Sequence, residues 1–284
     1  LKFSIATVAL PDFPHTAAFA EPAEALLHGL RELGHDVQLS GAQLCADRHN
    51  LLFGSHLLPA QAVLYPQTIL VNLEQLEANP YLSRHYLERL RRHTVWDYST
   101  SNVRYLHGLG ANQVFHVPMG FVPQLTRISR RQADIDVLFY GVINARRDLI
   151  LNQLVRAGVR ALYLGNAYGA ERDACIARSR IVLNMHFHQG RILELARVLY
   201  LLANGIFVVS ESVSDKEEMQ RFSGGLVFAD YGRLAQTCLR YLGDDPARES
   251  VALRGREAAL ALPQAAYLAP VLQAMRACGR LPAT

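Results

Sequence analysis

The sequence predicts an α/β protein made of two open, mostly parallel sheets that face a cleft. Three observations predict it. Short apolar runs rich in Val, Ile, Leu and Phe alternate with amphipathic stretches nearly throughout, the pattern of strand–helix–strand crossovers. The alternation runs twice, and the two series are separated by QLTRISRRQA, a polar and basic stretch. The chain has 284 residues, long for one domain and comfortable for two. The expected division is an N-terminal domain over 1–122, a linker over 123–133 and a C-terminal domain over 134–284, whose last helix is free to pack back on the first domain.

KFSIATVAL is the first strand. The opening segment LKFSIATVALPDFPHTAAFA also mimics a secretory signal, with one lysine and an A-x-A at its end. Its apolar run is short, interrupted by Ser4 and Thr7 and stopped by Pro11, and no other segment can serve as first strand. The helix AEPAEALLHGLRELG follows and is closed by Gly34, and HDVQLS is the next strand. Further strands are expected at NLLFGSHLL, TILVNLEQL, TVWDYS and VFHVPMGF. The helix YLSRHYLERLRRH lies between two of these, and SNVRYLHGLG is a helix with a serine at its N-cap and a glycine stop. The second series reads strand IDVLFYGV, helix RRDLILNQLVRAG, strand RALYLGN, helix AERDACIARS and strand RIVLNMHF. A mostly apolar helix follows, then strand IFVVSE, helix DKEEMQRF, strand GLVFAD and helix RLAQTCLRYLG. A last helix runs over 268–278.

Composition narrows the function. The chain is 50% hydrophobic and 19% charged, ordinary for a folded domain, and its net charge is +4. That excess suits a phosphorylated or nucleotide ligand and falls short of a nucleic-acid binder's footprint. Cys45, Cys175, Cys238 and Cys278 lie far apart without a C-x-x-C pair, which reads as free thiols and a cytoplasmic setting. No run approaches the ~20 apolar residues of a membrane span. The P-loop, the G-x-G-x-x-G dinucleotide fingerprint and the G-x-S-x-G elbow are missing.

The stretch LNMHFHQGRILELARVLYLLANG, residues 183–205, carries the clearest chemistry. Past Gly190 the expected helix has charges only at Arg191, Glu194 and Arg197, three apart and so on one stripe. A helix N-terminus with a forked guanidinium suits a phosphate, and a carboxylate beside it can accept both hydroxyls of a ribose. The alternative is an internal ion pair on a solvated stripe. His186 and His188, two apart on a strand, point to one face as sugar or phosphate contacts, as structural histidines or as metal ligands. A metal site needs further ligands that no nearby spacing supplies. In the first half, Asp12 and His15 follow the first strand, and Glu74 and Asp97 end later strands. Each is a candidate base for an acceptor hydroxyl, or a surface histidine and helix-capping carboxylates. The basic run RHYLERLRRH reads as a solvated helix face or as a docking surface for an acidic acceptor.

Residues 134–255 resemble the C-terminal half of sugar-nucleotide-dependent glycosyltransferases of the GT-B fold, nearest the CgeB-like and group-1 enzymes. The shared pattern is a Gly–x–Arg loop after the first strand, a late strand ending L-N, and R-x-x-E. The first 120 residues match only in their strand–helix–GH–strand opening and in VPMGF. The resemblance implies two Rossmann-like domains and transfer from a nucleoside-diphosphate sugar, with no cofactor or metal. It makes Glu194 the ribose contact, and Arg147 with Arg146, after Gly141, the diphosphate contacts aided by Arg191. The acceptor stays open among glycan, lipid-linked, protein and nucleic-acid classes. Group-1 enzymes often show Glu-x7-Glu, whereas the residue eight before Glu194 is His186. The rival readings are a non-catalytic nucleotide- or glycan-binding relic of the fold and a metal-dependent hydrolase built on His186 and His188.

Overall fold

The structure, a computed structural model, describes residues 1–10, 14–77, 79–80, 82–187 and 192–282. It divides into two units, Leu1–Val122 with Pro263–Thr284, and Pro123–Leu262. Asp12, His188 and Arg191 lie outside the described residues.

The first unit holds six parallel strands: β1 (Lys2–Thr7), β2 (Asp36–Leu39), β3 (His49–Phe53), β4 (Thr68–Asn72), β5 (Thr94–Asp97) and β6 (Val114–His116). Their order is β2-β1-β3-β4-β5-β6. Strand side chains alternate between faces, and both faces are covered, which is why these strands read as continuous apolar runs. Phe3, Ile5, Leu51, Phe53, Val71 and Trp96 pack on one face with Leu26 and Leu30 of α1 (Ala20–Glu32). Ala6, Leu52, Leu70 and Val95 pack on the other with Tyr86 and Leu90 of α2 (Arg84–Arg92) and Leu106 of α3 (Thr100–Gly108). The cap of α3 is Ser99, whose side chain accepts from Asn102 N–H, and not Ser101, which lies inside the helix.

The second unit has five parallel strands: β7 (Ile135–Tyr140), β8 (Ala161–Leu164), β9 (Ser179–Asn184), β10 (Val208–Glu211) and β11 (Val227–Ala229), ordered β11-β10-β9-β7-β8. The helices α4 (Ala145–Arg156), α5 (Gly169–Ala177), α6 (Leu195–Ala203), α7 (Lys216–Arg221), α8 (Leu234–Leu242) and α9 (Asp245–Leu260) complete it. Val137, Phe139, Ile181, Leu183, Phe207 and Val209 form its core with Ile150, Leu154, Leu234 and Val251. Helix α9 was not expected from the sequence, although Asp244 caps it and a proline sits in its first turn.

Two details of the expected division are visible in the units. Residues 123–133, expected as a linker, are fastened to the second unit: Arg127 N–H and Ile128 N–H both donate to Asn204 Oδ1 at 2.8 Å, and Asn204 Nδ2 donates to the Leu125 carbonyl at 2.8 Å. The last helix, α10 (Gln264–Ala277), belongs to the first unit, where Leu268, Leu272 and Met275 join the core. It lies against α1 at Gly29, where a Cβ would come within 2.7 Å of Gln264 Cγ. No helix among the described residues is long and apolar enough to cross a membrane.

Candidate functional site

In the second unit, β7 is flanked by β8 on one side and β9 on the other. The chain leaves β7 for one neighbour and later returns to the opposite side. The carboxyl ends of β7 and β9 therefore frame a topological switch point, the usual ligand position of an open α/β sheet.

Gly141, directly after β7, has φ +127, a conformation that glycine adopts readily and other residues rarely. Two guanidinium groups meet over it. A Cβ at Gly141 would lie 3.1 Å from Arg197 Nη2 and 3.9 Å from Arg147 Nη1. Arg147 comes from the first turn of α4, where Asn144 caps the helix by accepting its N–H. Its side chain is 4% exposed, donates to the carbonyls of Val142 at 2.6 Å and of Met185, and packs between the rings of Phe139 and Phe187. Burial, with the repulsion of Arg197 next, lowers its pKa to about 10. Arg147 thus ties the loop after β7 to the loop after β9. The more exposed Arg197, in the first turn of α6, donates to Asn184 Oδ1 at 3.1 Å and lies over the Tyr140 ring.

Glu194 stands opposite the arginines. Asn184 Nδ2 donates to its Oε2 at 2.9 Å, and His186 Nδ1 lies 3.3 Å from its Oε1. Burial works against its ionisation. The His186 hydrogen bond and charge, Arg197 and the Asn184 amide outweigh burial and bring the carboxyl to about 2. The side chain remains 20% exposed, so one side of it is open. Asn184, fully buried at the end of β9, holds Glu194 with its amide N–H and Arg197 with its carbonyl oxygen. One side chain therefore sets the spacing between the anion and the cation.

Several expected roles change here. Helix α6 begins at Leu195, and Glu194 sits before it at φ −72, ψ 67, so Glu194 and Arg197 do not share a helical stripe. The apolar Ile192 and Leu193 extended the helical pattern upstream because they are buried, not because they are helical. Arg146 faces away from the pair, its guanidinium forming a two-pronged bridge to Glu211 at the end of β10 and covering the Tyr231 ring at 4.0 Å. Adjacent residues on a helix point about 100° apart, which sends Arg146 toward β10 and Arg147 toward β9. His186 is fully buried, with Nε2 on the Ser212 carbonyl at 3.2 Å and Nδ1 on Glu194. Both ring nitrogens face protein acceptors, so in this arrangement neither is turned toward a sugar or a metal ion. Among the described residues no group of three or more His, Cys, Asp or Glu could hold a metal ion.

In the first unit, β1 is flanked by β2 and β3, giving a second switch point. His15 lies in the 3-10 turn Pro14–Phe19 after β1 and is half-buried. Glu74, just past β4, has Oε1 3.6 Å from Nδ1 of His56, a residue after β3 that no sequence pattern singles out. Asp97 is fully buried and accepts from Asn72, Asn102 and the Ser99 N–H, closing the turn into α3. Burial raises its pKa to about 7 against those three bonds.

Comparison with known proteins bears on the family and the fold. A family model described as glycosyl transferase-like matches residues 124–269, just over half of the chain. Protein L140 of Acanthamoeba polyphaga mimivirus is 27% identical over 186 residues, covering 62% of this chain and 59% of that one. Protein R358 of the same virus is 29% identical over 157 residues, 53% of each. The chain thus spans little more than half the length of these curated relatives. Among solved structures, Anabaena HepE in complex with UDP-glucose has a TM-score of 0.62 at 12% identity, covering 96% of this chain and 99% of that one. AviGT4, a glycosyltransferase involved in avilamycin A biosynthesis, has 0.61 at 16% identity, covering 96% and 97%. Sucrose-phosphate synthase of Thermosynechococcus elongatus has 0.59 at 12% identity, covering 97% and 99%. Likeness at such identities is of fold, and the fold is that of the GT-B glycosyltransferases. With its family model spanning the switch-point residues from Gly141 to Glu211, the chain belongs to the glycosyl transferase-like family.

Proposed function

We propose that the protein transfers a sugar from a nucleoside-diphosphate sugar to an acceptor hydroxyl, in the manner of the CgeB-like and group-1 enzymes and without a metal ion. The observation that carries this reading is the pair Arg147 and Arg197 meeting over Gly141, with the ionised Glu194 held beside them. Glu194 accepts the two ribose hydroxyls through its open side. Arg197 takes the diphosphate directly, and Arg147 adds positive charge from behind while fixing the loop. The acceptor oxygen bonds to the anomeric carbon as the bond to the diphosphate breaks, and the electron pair leaves with the diphosphate. Preorganised guanidiniums stabilise the charge that develops there, the role a divalent cation fills in other designs. That HepE was solved with UDP and with UDP-glucose supports a uridine donor. For the acceptor, Glu74 with His56 is the pair proposed to take the hydroxyl proton, and His15, in the turn after β1, is the other candidate base.

A thermal-shift panel of UDP, GDP, dTDP, CMP and their common sugars tests the reading, since a ligand that binds only the folded protein raises its melting temperature. One nucleoside diphosphate and its sugar should stabilise the wild type. Arg197→Ala should weaken that binding by roughly 10- to 100-fold, the worth of a charge-assisted hydrogen bond. A folded protein that no nucleotide stabilises would refute the proposal.

A further inference from the structure

His186 occupies a position in which only one of its charge states satisfies its surroundings. Nδ1 faces a Glu194 carboxylate oxygen at 3.3 Å, and Nε2 faces the Ser212 carbonyl at 3.2 Å. Both neighbours accept and neither donates. Neutral imidazole has a single N–H, so it satisfies one neighbour and turns a lone pair on the other, whereas imidazolium satisfies both. Five charged groups of the described residues lie around it. Glu211 of β10 accepts the His186 backbone N–H at 3.2 Å and is itself bridged by Arg146 of α4, which also donates to the His186 carbonyl. Arg147 of α4 lies on the Met185 carbonyl next door, and Arg197 of α6 acts through Asn184. Glu194 is the carboxylate that decides the ring's charge. A glutamate at 186, as in the Glu-x7-Glu pattern, would set an anion against two acceptors.

We infer that His186 is a positioning residue whose imidazolium clamps Glu194 in the orientation that receives the donor ribose, so that capture of nucleotide sugar weakens as the ring loses its proton. The inference rests on the proposed role of Glu194. Burial pulls the ring's pKa down, but Glu194, Glu211 and the Ser212 carbonyl outweigh it and leave the value above the ordinary 6.5. With a raised folded pKa, the clamp is complete below that value and lost as pH rises through it. Deprotonation removes the positive charge facing Glu194 and one of the ring's two bonds, while Asn184 keeps its own bond, which loosens the carboxylate without releasing it.

Affinity for UDP-glucose, GDP-mannose and dTDP-glucose, measured by calorimetry from mildly acidic to mildly alkaline pH, tests this. These donors are diesters of constant charge, whereas a free diphosphate's terminal group titrates in the same range. Wild-type affinity should fall about tenfold as pH rises, one charge-assisted hydrogen bond's worth. His186→Gln, which carries no charge at any pH, should bind with no such slope, and Glu194→Gln should bind weakly throughout. A flat wild-type profile, or a slope that survives in His186→Gln, overturns the inference. The ring is also followed by NMR without any donor. A His186 pKa above 6.5 that drops in Glu194→Gln supports the clamp, and one that Glu194→Gln leaves unmoved overturns it. If none of the three donors binds, the nucleotide-sugar reading falls, and the NMR titration still decides whether the clamp exists.

Discussion

Replacing Glu194 with glutamine keeps the side chain's size and removes its charge, and the structure sets the cost. The carboxyl goes from 4.5 in the unfolded chain to about 2 when folded, held by His186, Arg197 and Asn184 against burial. At about 1.4 kcal/mol per unit this is on the order of 3 kcal/mol of stability near neutral pH. Because the folded value is the lower one, the contribution is present above 4.5 and is lost as pH falls toward 2. Wild type and Glu194→Gln should therefore differ by about 3 kcal/mol near pH 6.5 and by about half of that near pH 3. Urea titrations of both proteins at the two pH values, followed by a signal from the second unit, measure the difference. A gap that does not narrow on acidification, or one below ~1 kcal/mol at neutral pH, would refute the pairing. The same variant separates stability from recognition, since its loss of nucleotide binding should persist at concentrations of donor that saturate the wild type.

Arg146→Ala should cost about 3–5 kcal/mol, because it strands Glu211, which is 3% exposed, without its cation. Adding Glu211→Gln should recover part of that loss in a denaturant titration. Gly29→Ala should cost about 1–3 kcal/mol by overpacking, since its Cβ would sit 2.7 Å from Gln264 Cγ and 2.9 Å from Leu268 Cδ1. The lesion should show as faster hydrogen exchange in α10. Asn204→Ala removes two acceptor and two donor bonds and should cost roughly 2–4 kcal/mol. Exchange at the Arg127 and Ile128 amides should accelerate while β7 stays protected.

The sheets were legible because parallel strands buried on both faces must be apolar along their whole length, as Val137, Leu138 and Phe139 are. Helix ends were less so. Ile192 and Leu193 carry the apolar pattern of α6 without its backbone, since burial and helicity leave the same mark on a sequence. Helix α9 escaped for the opposite reason: its charged and small residues show little apolar periodicity, although Val251, Ala252 and Ala259 are buried. Of the site, Glu194 and the glycine after β7 stood out by pattern, and Asn184 was visible as the L-N that ends a strand. The partnership of Asn184 with both Glu194 and Arg197 was not visible, because it depends on where a short non-helical segment turns. His56 beside Glu74 and Arg146 on Glu211 are meetings of neighbouring strand ends, set by strand order rather than by spacing along the chain.

The return of α10 to the first unit also orders the protein's assembly in time. Trp96 Nε1 donates to Met275 Sδ at 3.2 Å, and Leu268 and Leu272 complete the core around Phe3 and Ile5. The earlier of the two sheets is thus the later to be sealed. All five strands of the second unit, and the helices that cover them, have emerged before the segment that closes the first. On the ribosome the second unit can reach its native packing as an uninterrupted stretch. The earlier half meanwhile waits with one face of its sheet covered by α1 alone, dependent on a helix made after the whole second unit.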